Sequence, residues 1–533
     1  MADGGWNYAE VWEHIAEVVP GAPALVDARA RRTWAELDRR ADGVARALLD
    51  AGLTRQDKVA QYLYNGNEYL ESFLACCKAG LAPVNTNYRY VEAELAYLWD
   101  NADAAAVVFH GSFAERIEHL RAGLPKVRLW LWVDDGSGPC PDWAVPYEDA
   151  ATVGTARVVA PWGRSGDDLI LIYTGGTTGM PKGVMWRQDD LYNNHSQSVW
   201  KDPVEPDLDA VTARVTRRLG PVALPACPLM HGTGLFVSMQ QLCQAGSVVS
   251  MTSRRLDIEE LLDTVDRERV VVTAIVGDVF SKPILAALDE HPDRWDLSSL
   301  RVMVSSGAMW SAEVKERLLA RYPRLTLIDT FASSEAAGMG QSVARADTGA
   351  RTAQFKVGEF TRVITDDGRD VVPGSGEVGL VAAGGFQPVG YYKDEAKSAA
   401  TFRTIDGRRY SVPGDHATVE PDGTLTFLGR GSTCINTGGE KVYPEEVEEV
   451  LKLHPRVRDA VVLGIPDDRF GEAVVAMVEG DPDIDELHAL AREHLAGYKA
   501  PRRIVLVDSV DRAPNGKVDH KGLRARLLEA QGS

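Results

Sequence analysis

Hydrophobic positions in this chain switch repeatedly between a helical and a strand-like period. Tyr8, Val11, Trp12, Ile15 and Val19 recur at helical spacing before Pro20-Gly21, predicting an amphipathic helix stopped by two breakers. Thr33 and Glu36 have the T-x-x-E form of a capping box, and Leu37, Ala41, Val44, Ala45 and Leu48 then mark one face of a second helix up to Gly52. A strand-like run from Val59 to Tyr64 follows, then a helical Tyr69 to Ala79, an extended Ala82-Pro83-Val84, a helical Glu92 to Trp99 and an extended Ala106 to Phe109. Short apolar runs at Leu169 to Tyr173, Val270 to Val276 and Leu300 to Val304 suit buried strands. This alternation predicts an α/β architecture with a largely parallel sheet.

After Gly390-Tyr391-Tyr392 the texture changes to Gly- and Asp-rich turns between short strands, as in Asp422 to Phe427, which predicts a hairpin layer and a boundary near Gly431. Beyond it lie a helix from Pro444, strands at Ala460 to Leu463 and Ala473 to Met477, and a helix over Leu487 to Leu495, enough for a compact α+β domain. At 533 residues the chain is long enough for two or more domains, and 45% apolar with 25% charged residues excludes disorder and collagen-like structure. The net charge of −19 would repel phosphate backbones, so a nucleic-acid partner is not expected. Six cysteines, only Cys76 and Cys77 close together, fit buried reduced thiols of a cytoplasmic protein. No apolar run is long enough to span a bilayer, and the start Met1-Ala2-Asp3-Gly4-Gly5 has no basic region before an apolar stretch, so neither membrane spanning nor secretion is expected.

The strongest chemical signal is Tyr173-Thr174-Gly175-Gly176-Thr177-Thr178-Gly179-Met180-Pro181-Lys182-Gly183, directly after an apolar strand. Glycines let the backbone approach a ligand closely, hydroxyls and amides donate to phosphate oxygens, and Lys182 adds positive charge, so the loop suits a polyphosphate. A Walker A loop is excluded, because Gly183 rather than Ser or Thr follows Lys182.

That loop resembles the signature of adenylate-forming enzymes, the superfamily of acyl-CoA synthetases, peptide-synthetase adenylation domains and luciferases. Further segments match in the family's order: Pro228-Leu229-Met230-His231-Gly232, Ser306-Gly307-Ala308, Phe331-Ala332-Ser333-Ser334-Glu335, Tyr410 to Asp415, Gly429-Arg430 and Pro514-Asn515-Gly516-Lys517. The resemblance implies a large N-terminal adenylate-forming domain, residues 1–431, of layered α/β subdomains with a small β-barrel-like layer. A smaller mobile α+β C-terminal domain, 432–533, would carry the catalytic Lys517. It also implies roles. Catalysis falls to Lys517, Glu335, Lys182 and His231, with Glu335 holding Mg²⁺. Nucleotide binding falls to Thr174, Gly175, Gly176, Thr177 and Thr178, to Gly307 and Ala308, to Asp329, Thr330, Phe331 and Ser334, and to Asp415 and Arg430. Gly438 and Gly439 would flank the passage for the CoA thiol arm. Departures from the family pattern are Ala332 for Gly, Ser334 for Thr, Ser432 at the hinge position and Asn436 for a frequent Lys.

The expected activity is ATP-dependent acyl-CoA synthesis, with ATP, Mg²⁺ and coenzyme A required and a homodimer left open. Leu235, Phe236, Val276, Val279 and Phe280 are candidate walls of the acyl channel and offer no charge, which favours a medium- or long-chain fatty acid or a bulky apolar acid. The version of the loop from Gly175 to Trp186 resembles actinobacterial synthetases acting on fatty or steroid side-chain acids. Rival readings are an enzyme loading an acyl-carrier protein, a luciferase-like oxygenase, and a catalytically inactive nucleotide- or acyl-CoA-binding homologue.

Overall fold

A computed structural model describes residues 4–154, 156–176, 179–196, 205–308, 310–431, 433–437, 440–467, 471–495, 497–513 and 516–529. The fold is mixed α/β, built on three sheets. In the largest, the strands Pro23–Val26, Ser247–Val249, Val222–Pro225, Val272–Ile275, Val302–Ser305 and Thr326–Ser333 lie side by side and parallel. Intervening helices such as Ile258–Arg267 and Ala312–Arg321 bury apolar residues in one cluster with these strands. The chain then reverses at Thr326–Ser333 into Ala336–Ala344 and continues antiparallel through Gln354–Val357, Thr424–Arg430 and Asp415–Val419. The barrel-like layer is thus the antiparallel end of the same hydrogen-bonded path.

The second sheet has a parallel centre, Ala82–Asn85, Lys58–Tyr62, Ala104–His110 and Leu129–Val133. On its other side stands the antiparallel pair Leu169–Gly176 and Gly179–Arg187. The third sheet is made wholly from later residues, with Val457–Asp467 and Gly471–Gly480 paired over most of their length and Arg503–Val507 added in parallel. Its two apolar clusters draw only on residues from Ile435 onward.

Local signals placed the elements around the sheets. Helix Trp34–Asp50 starts at a complete capping box, Thr33 accepting from Glu36 N while Glu36 accepts from Thr33 N. Helix Tyr8–Val18 sits where the apolar spacing predicts it. These two helices and Asn67–Ala79 are tied by a buried charge cluster: the Lys78 ammonium meets Glu13 at 2.6 Å, Asp38 at 2.6 Å and Asp42 at 2.9 Å. A lysine with no exposed surface is tolerable only when several acceptors surround it. Lys78→Met strands those carboxylates, so a loss of about 3–5 kcal/mol in urea-unfolding stability is expected; an unchanged midpoint would show that the cluster holds nothing together.

Candidate active site

Loops leaving the carboxyl ends of the parallel strands converge on one cleft, the usual place for a ligand in an open α/β sheet. The strands Val222–Pro225, Val272–Ile275 and Val302–Ser305 lead into Cys227, Pro228, Met230 and His231, into Val276 and into Ser306-Gly307, all on the cleft wall. The second sheet contributes Asn85 and Thr174, and the C-terminal unit contributes Lys517. The cavity measures about 1230 Å³.

The glycine-rich segment is a hairpin rather than a loop between strand and helix: Leu169 to Gly176 pairs antiparallel with Gly179 to Arg187. Thr177 and Thr178 lie outside the described residues, and Gly175 and Gly176 belong to the outgoing strand. Two side chains fix this hairpin. Asn85 Nδ2 donates to Tyr173 O at 2.9 Å and to Met230 O at 2.6 Å, while Asn85 Oδ1 accepts from Tyr173 N at 2.5 Å. The buried Trp186 donates through Nε1 to Ser334 O at 2.9 Å. Asn85 therefore joins the hairpin to the segment that carries His231.

Opposite the hairpin, strand Thr326–Ser333 presents Thr330 and Phe331 to the cleft. Phe331 is propped by Phe427 and Phe355, ring centroids 4.8 Å and 5.4 Å away. Gly307 has φ +91°, a left-handed conformation open to glycine, which brings bare backbone to the cleft. The side-chain oxygens of Thr330 and Ser333 are buried and have no hydrogen-bond partner among the described residues, although both residues line the cleft. Asp415 and Ala308 line it too, and the Asp415 residue is buried where it pairs across strands with Arg430. Glu335 Oε1 accepts from Tyr391 Oη at 2.8 Å. Asp329 is committed to Lys315, 2.9 Å away; burial pushes its carboxyl up and the lysine pulls it back.

Lys517 Nζ donates to Thr174 Oγ1 at 3.2 Å, across 343 residues of sequence. Its loop is closed on itself by Gly516 N to Ala513 O and Ala513 N to Lys517 O, both 2.8 Å. Arg512, gripped by Asp459 at 2.5 Å, donates to Gly516 O at 3.1 Å and so fixes the loop to the C-terminal sheet. Gly516, at φ +73°, is the seat: a Cβ there would stand 2.8 Å from both Ala308 Cβ and Val276 Cγ1.

His231 caps helix Gly232–Cys243 and lines the cleft; burial, with smaller contributions from the Lys517 ammonium and Arg89, pushes its imidazole down to about 3, so it is neutral. Lys182 does not line the cleft: its ammonium lies 5.7 Å from the centre of the Tyr391 ring and 3.9 Å from Asp394. Of the expected acyl walls, Phe236, Val276 and Val279 line the cavity, whereas Leu235 and Phe280 are packed into the core because they fall on other faces of their helices. The wall also contains two polar residues that no motif singles out, His195 and Gln240. Gly438 and Gly439 lie outside the described residues, as do Ser432, Pro514 and Asn515, and only the backbone of Arg430 and Asn436 is described.

Comparison with known proteins shows the family. Residues 12–392 match the AMP-binding enzyme family and residues 446–517 match the AMP-binding enzyme C-terminal domain, so the chain belongs to the AMP-binding enzymes. It is 39% identical over 528 residues to a medium/long-chain-fatty-acid–CoA/3-oxocholest-4-en-26-oate–CoA ligase of Mycobacterium tuberculosis, covering 97% of this chain and 95% of the relative. It is 40% identical over 535 residues to a 3-oxocholest-4-en-26-oate–CoA ligase of Rhodococcus rhodochrous, with the same coverages, 97% and 95%. The crystal structure of the anthranilate CoA ligase AuaEII with anthranoyl-AMP shares the fold at a TM-score of 0.84 and 22% identity, covering 99% of this chain and 98% of that one.

The buried histidines give the fold an acid limit. Burial holds His110 at about 4 and both His195 and His231 at about 3. Unfolded histidine takes up a proton near pH 6.5, so between that pH and the folded values unfolding binds protons and acid favours it, by on the order of 1 kcal/mol per pH unit for each histidine. The urea midpoint is expected to fall steadily from pH 7 to pH 5, and less steeply in His195→Phe; parallel pH slopes would refute the assignment.

Proposed function

We propose that the protein is an acyl-CoA synthetase. A carboxylate oxygen attacks the α-phosphorus of ATP, the α–β anhydride bond breaks, pyrophosphate leaves, and the CoA thiol then attacks the acyl carbon and displaces AMP. The observation that carries this reading is the Lys517 ammonium resting on Thr174 of the glycine-rich hairpin inside the shared cleft. A carboxylate is a poor electrophile, and a fixed cation beside the forming acyl phosphate lowers the cost of concentrating negative charge there.

The residues present fit the nucleotide. The unpartnered hydroxyls of Thr330 and Ser333 supply donors, Phe331 a flat apolar face for adenine beside Gly307 and Ala308, and Asp415 a buried carboxylate for the ribose, with Arg430 next to it in register. The hairpin residues Thr174, Gly175, Gly176, Thr177 and Thr178 would face the phosphates, with Ser334 beside them. Asp329, tied to Lys315, serves by holding its strand in place. Glu335, braced by Tyr391, is the carboxylate for Mg²⁺. One anchored carboxylate suits an ion that keeps its waters and takes phosphate oxygens, and no group of three or more His, Cys, Asp or Glu suited to a metal occurs among the described residues. When bound, Mg²⁺ offsets phosphate charge. His231 stays neutral and lines the carboxylate entrance, Lys182 supports Tyr391 from outside the cleft, and on the motif alone Gly438 and Gly439 would serve the thiol passage.

We divide the chain into residues 1–431 and 432–533, which the separate later sheet and its own apolar clusters support. We place the protein in the cytoplasm: its six cysteines form no disulfide, and no helix among the described residues is long and apolar enough to cross a membrane. The apolar walls and the two named relatives support a medium- or long-chain fatty acid or a steroid side-chain acid as substrate.

Pyrophosphate release across a panel of carboxylates from acetate to long-chain and sterol acids, followed by CoA-dependent AMP release, tests the reading and separates it from carrier-protein loading. In Lys517→Ala, acyl-adenylate formation should fall by about 10²–10³-fold while thioester formation from supplied acyl-adenylate is spared. Equal loss in both half-reactions refutes the role of Lys517.

A further inference from the structure

His195 and Gln240 are each only 4% exposed, yet both line the cavity. Neither His195 Nε2 nor Gln240 Oε1 has a hydrogen-bond partner among the described residues. A buried polar atom without a partner costs about 1–3 kcal/mol, so two on neighbouring cavity-lining residues call for an occupant that completes them. Gln241, next along the helix, is also buried and unpartnered, but it does not reach the cavity.

Both side chains sit on rigid supports. His195 caps the C-terminal end of helix Gln188–Asn194, and Asn194 locks that end by donating to Ala337 O at 3.2 Å and Phe386 O at 3.1 Å. The His195 ring packs on Phe236, centroids 4.8 Å apart. Phe236 precedes Gln240 by about one turn of helix Gly232–Cys243, so the two polar groups belong to one patch. His231, assigned above to the carboxylate entrance, begins the same helix. Gln240 lies about two and a half turns further on, roughly 13 Å along the axis.

We propose that His195 and Gln240 form a hydrogen-bonding wall that receives an oxygen, ketone or hydroxyl, carried on the apolar body of the acid far from its carboxylate. His195 Nε2 donates or accepts according to the tautomer and Gln240 Oε1 accepts, so a hydroxyl completes both groups, whereas a ketone is received by the His195 N–H alone. An acid lacking the oxygen leaves the wall unpaired, which discriminates against it. This inference rests on the acid-activating reading above.

The test uses the full chain with ATP, Mg²⁺ and CoA and compares kcat/KM for matched acids. One set is dodecanoate, its ω-hydroxy counterpart and the ketone at its penultimate carbon; the other is 3-oxocholest-4-en-26-oate and its ring-deoxygenated analogue. The wild-type chain should favour an oxygenated member of at least one set by about tenfold, the equivalent of one well-made hydrogen bond. His195→Phe and Gln240→Leu should erase that preference, by slowing the oxygenated acid, relieving the deoxygenated one, or both, while leaving the KM for ATP unchanged. Equal use of matched acids by the wild-type chain overturns the inference whatever the variants do, as does an equal loss on both members, which would mean that these groups are satisfied by water alone. Turnover of fatty acids without the preference sinks this inference only; absence of carboxylate-dependent pyrophosphate release with every acid sinks the synthetase reading with it.

Discussion

A lysine ammonium reaching a threonine hydroxyl 343 residues earlier is the contact that organises the cleft. It unites two parts of the chain with separate sheets, and it depends on backbone fit rather than on attraction alone. Gly516 brings its loop against Ala308 and Val276 at a distance no larger residue could adopt, and Arg512 stiffens the loop from the side of the C-terminal sheet. The contact itself is small. A single hydrogen bond between exposed groups contributes little net free energy, so it can form and break without disturbing either core.

The other side of that contact is equally dependent on placement. Thr174 stands where it does because Asn85 grips the backbone of Tyr173 and of Met230 at once, binding the second sheet to the first at the point where both present their carboxyl ends. Asn85 ends the strand that follows the helix anchored by Lys78, so a charge cluster at the back of the molecule and a hydrogen-bond fork at the front belong to one short stretch of chain.

Much of this is legible in the amino-acid sequence alone. The capping box at Thr33, the helix from Tyr8 and the strands at Val272, Val302 and Ala460 are local features, written in spacing and turn chemistry, and they lie where expected. Contiguous motifs located Phe331, Glu335, Asp415 and Lys517, and these line one cleft. Local pattern says nothing of which elements meet. The hairpin strands after Gly390 were visible, but their joining the large parallel sheet was not, because edge pairing leaves no trace in periodicity. Asn85, Arg512, His195 and Gln240 acquire their importance from neighbours far away in sequence. Leu235 and Phe236 are adjacent and equally apolar, yet only the second faces the cavity, a choice made by the packing of the helix rather than by its composition. Lys182 shows the converse: membership of a strong motif did not bring its ammonium into the cleft.

One wall of the cavity is a helix that begins at His231 and lines it as far as Gln240, a ruler graduated in helical turns. Moving a polar residue by one turn along that face, from the depth of Gln240 to that of Phe236, would shift the reading by roughly 5 Å. On the proposed reading, exchanging two side chains on this face changes the depth at which a polar group is met and leaves Lys517 and Thr174 as they are.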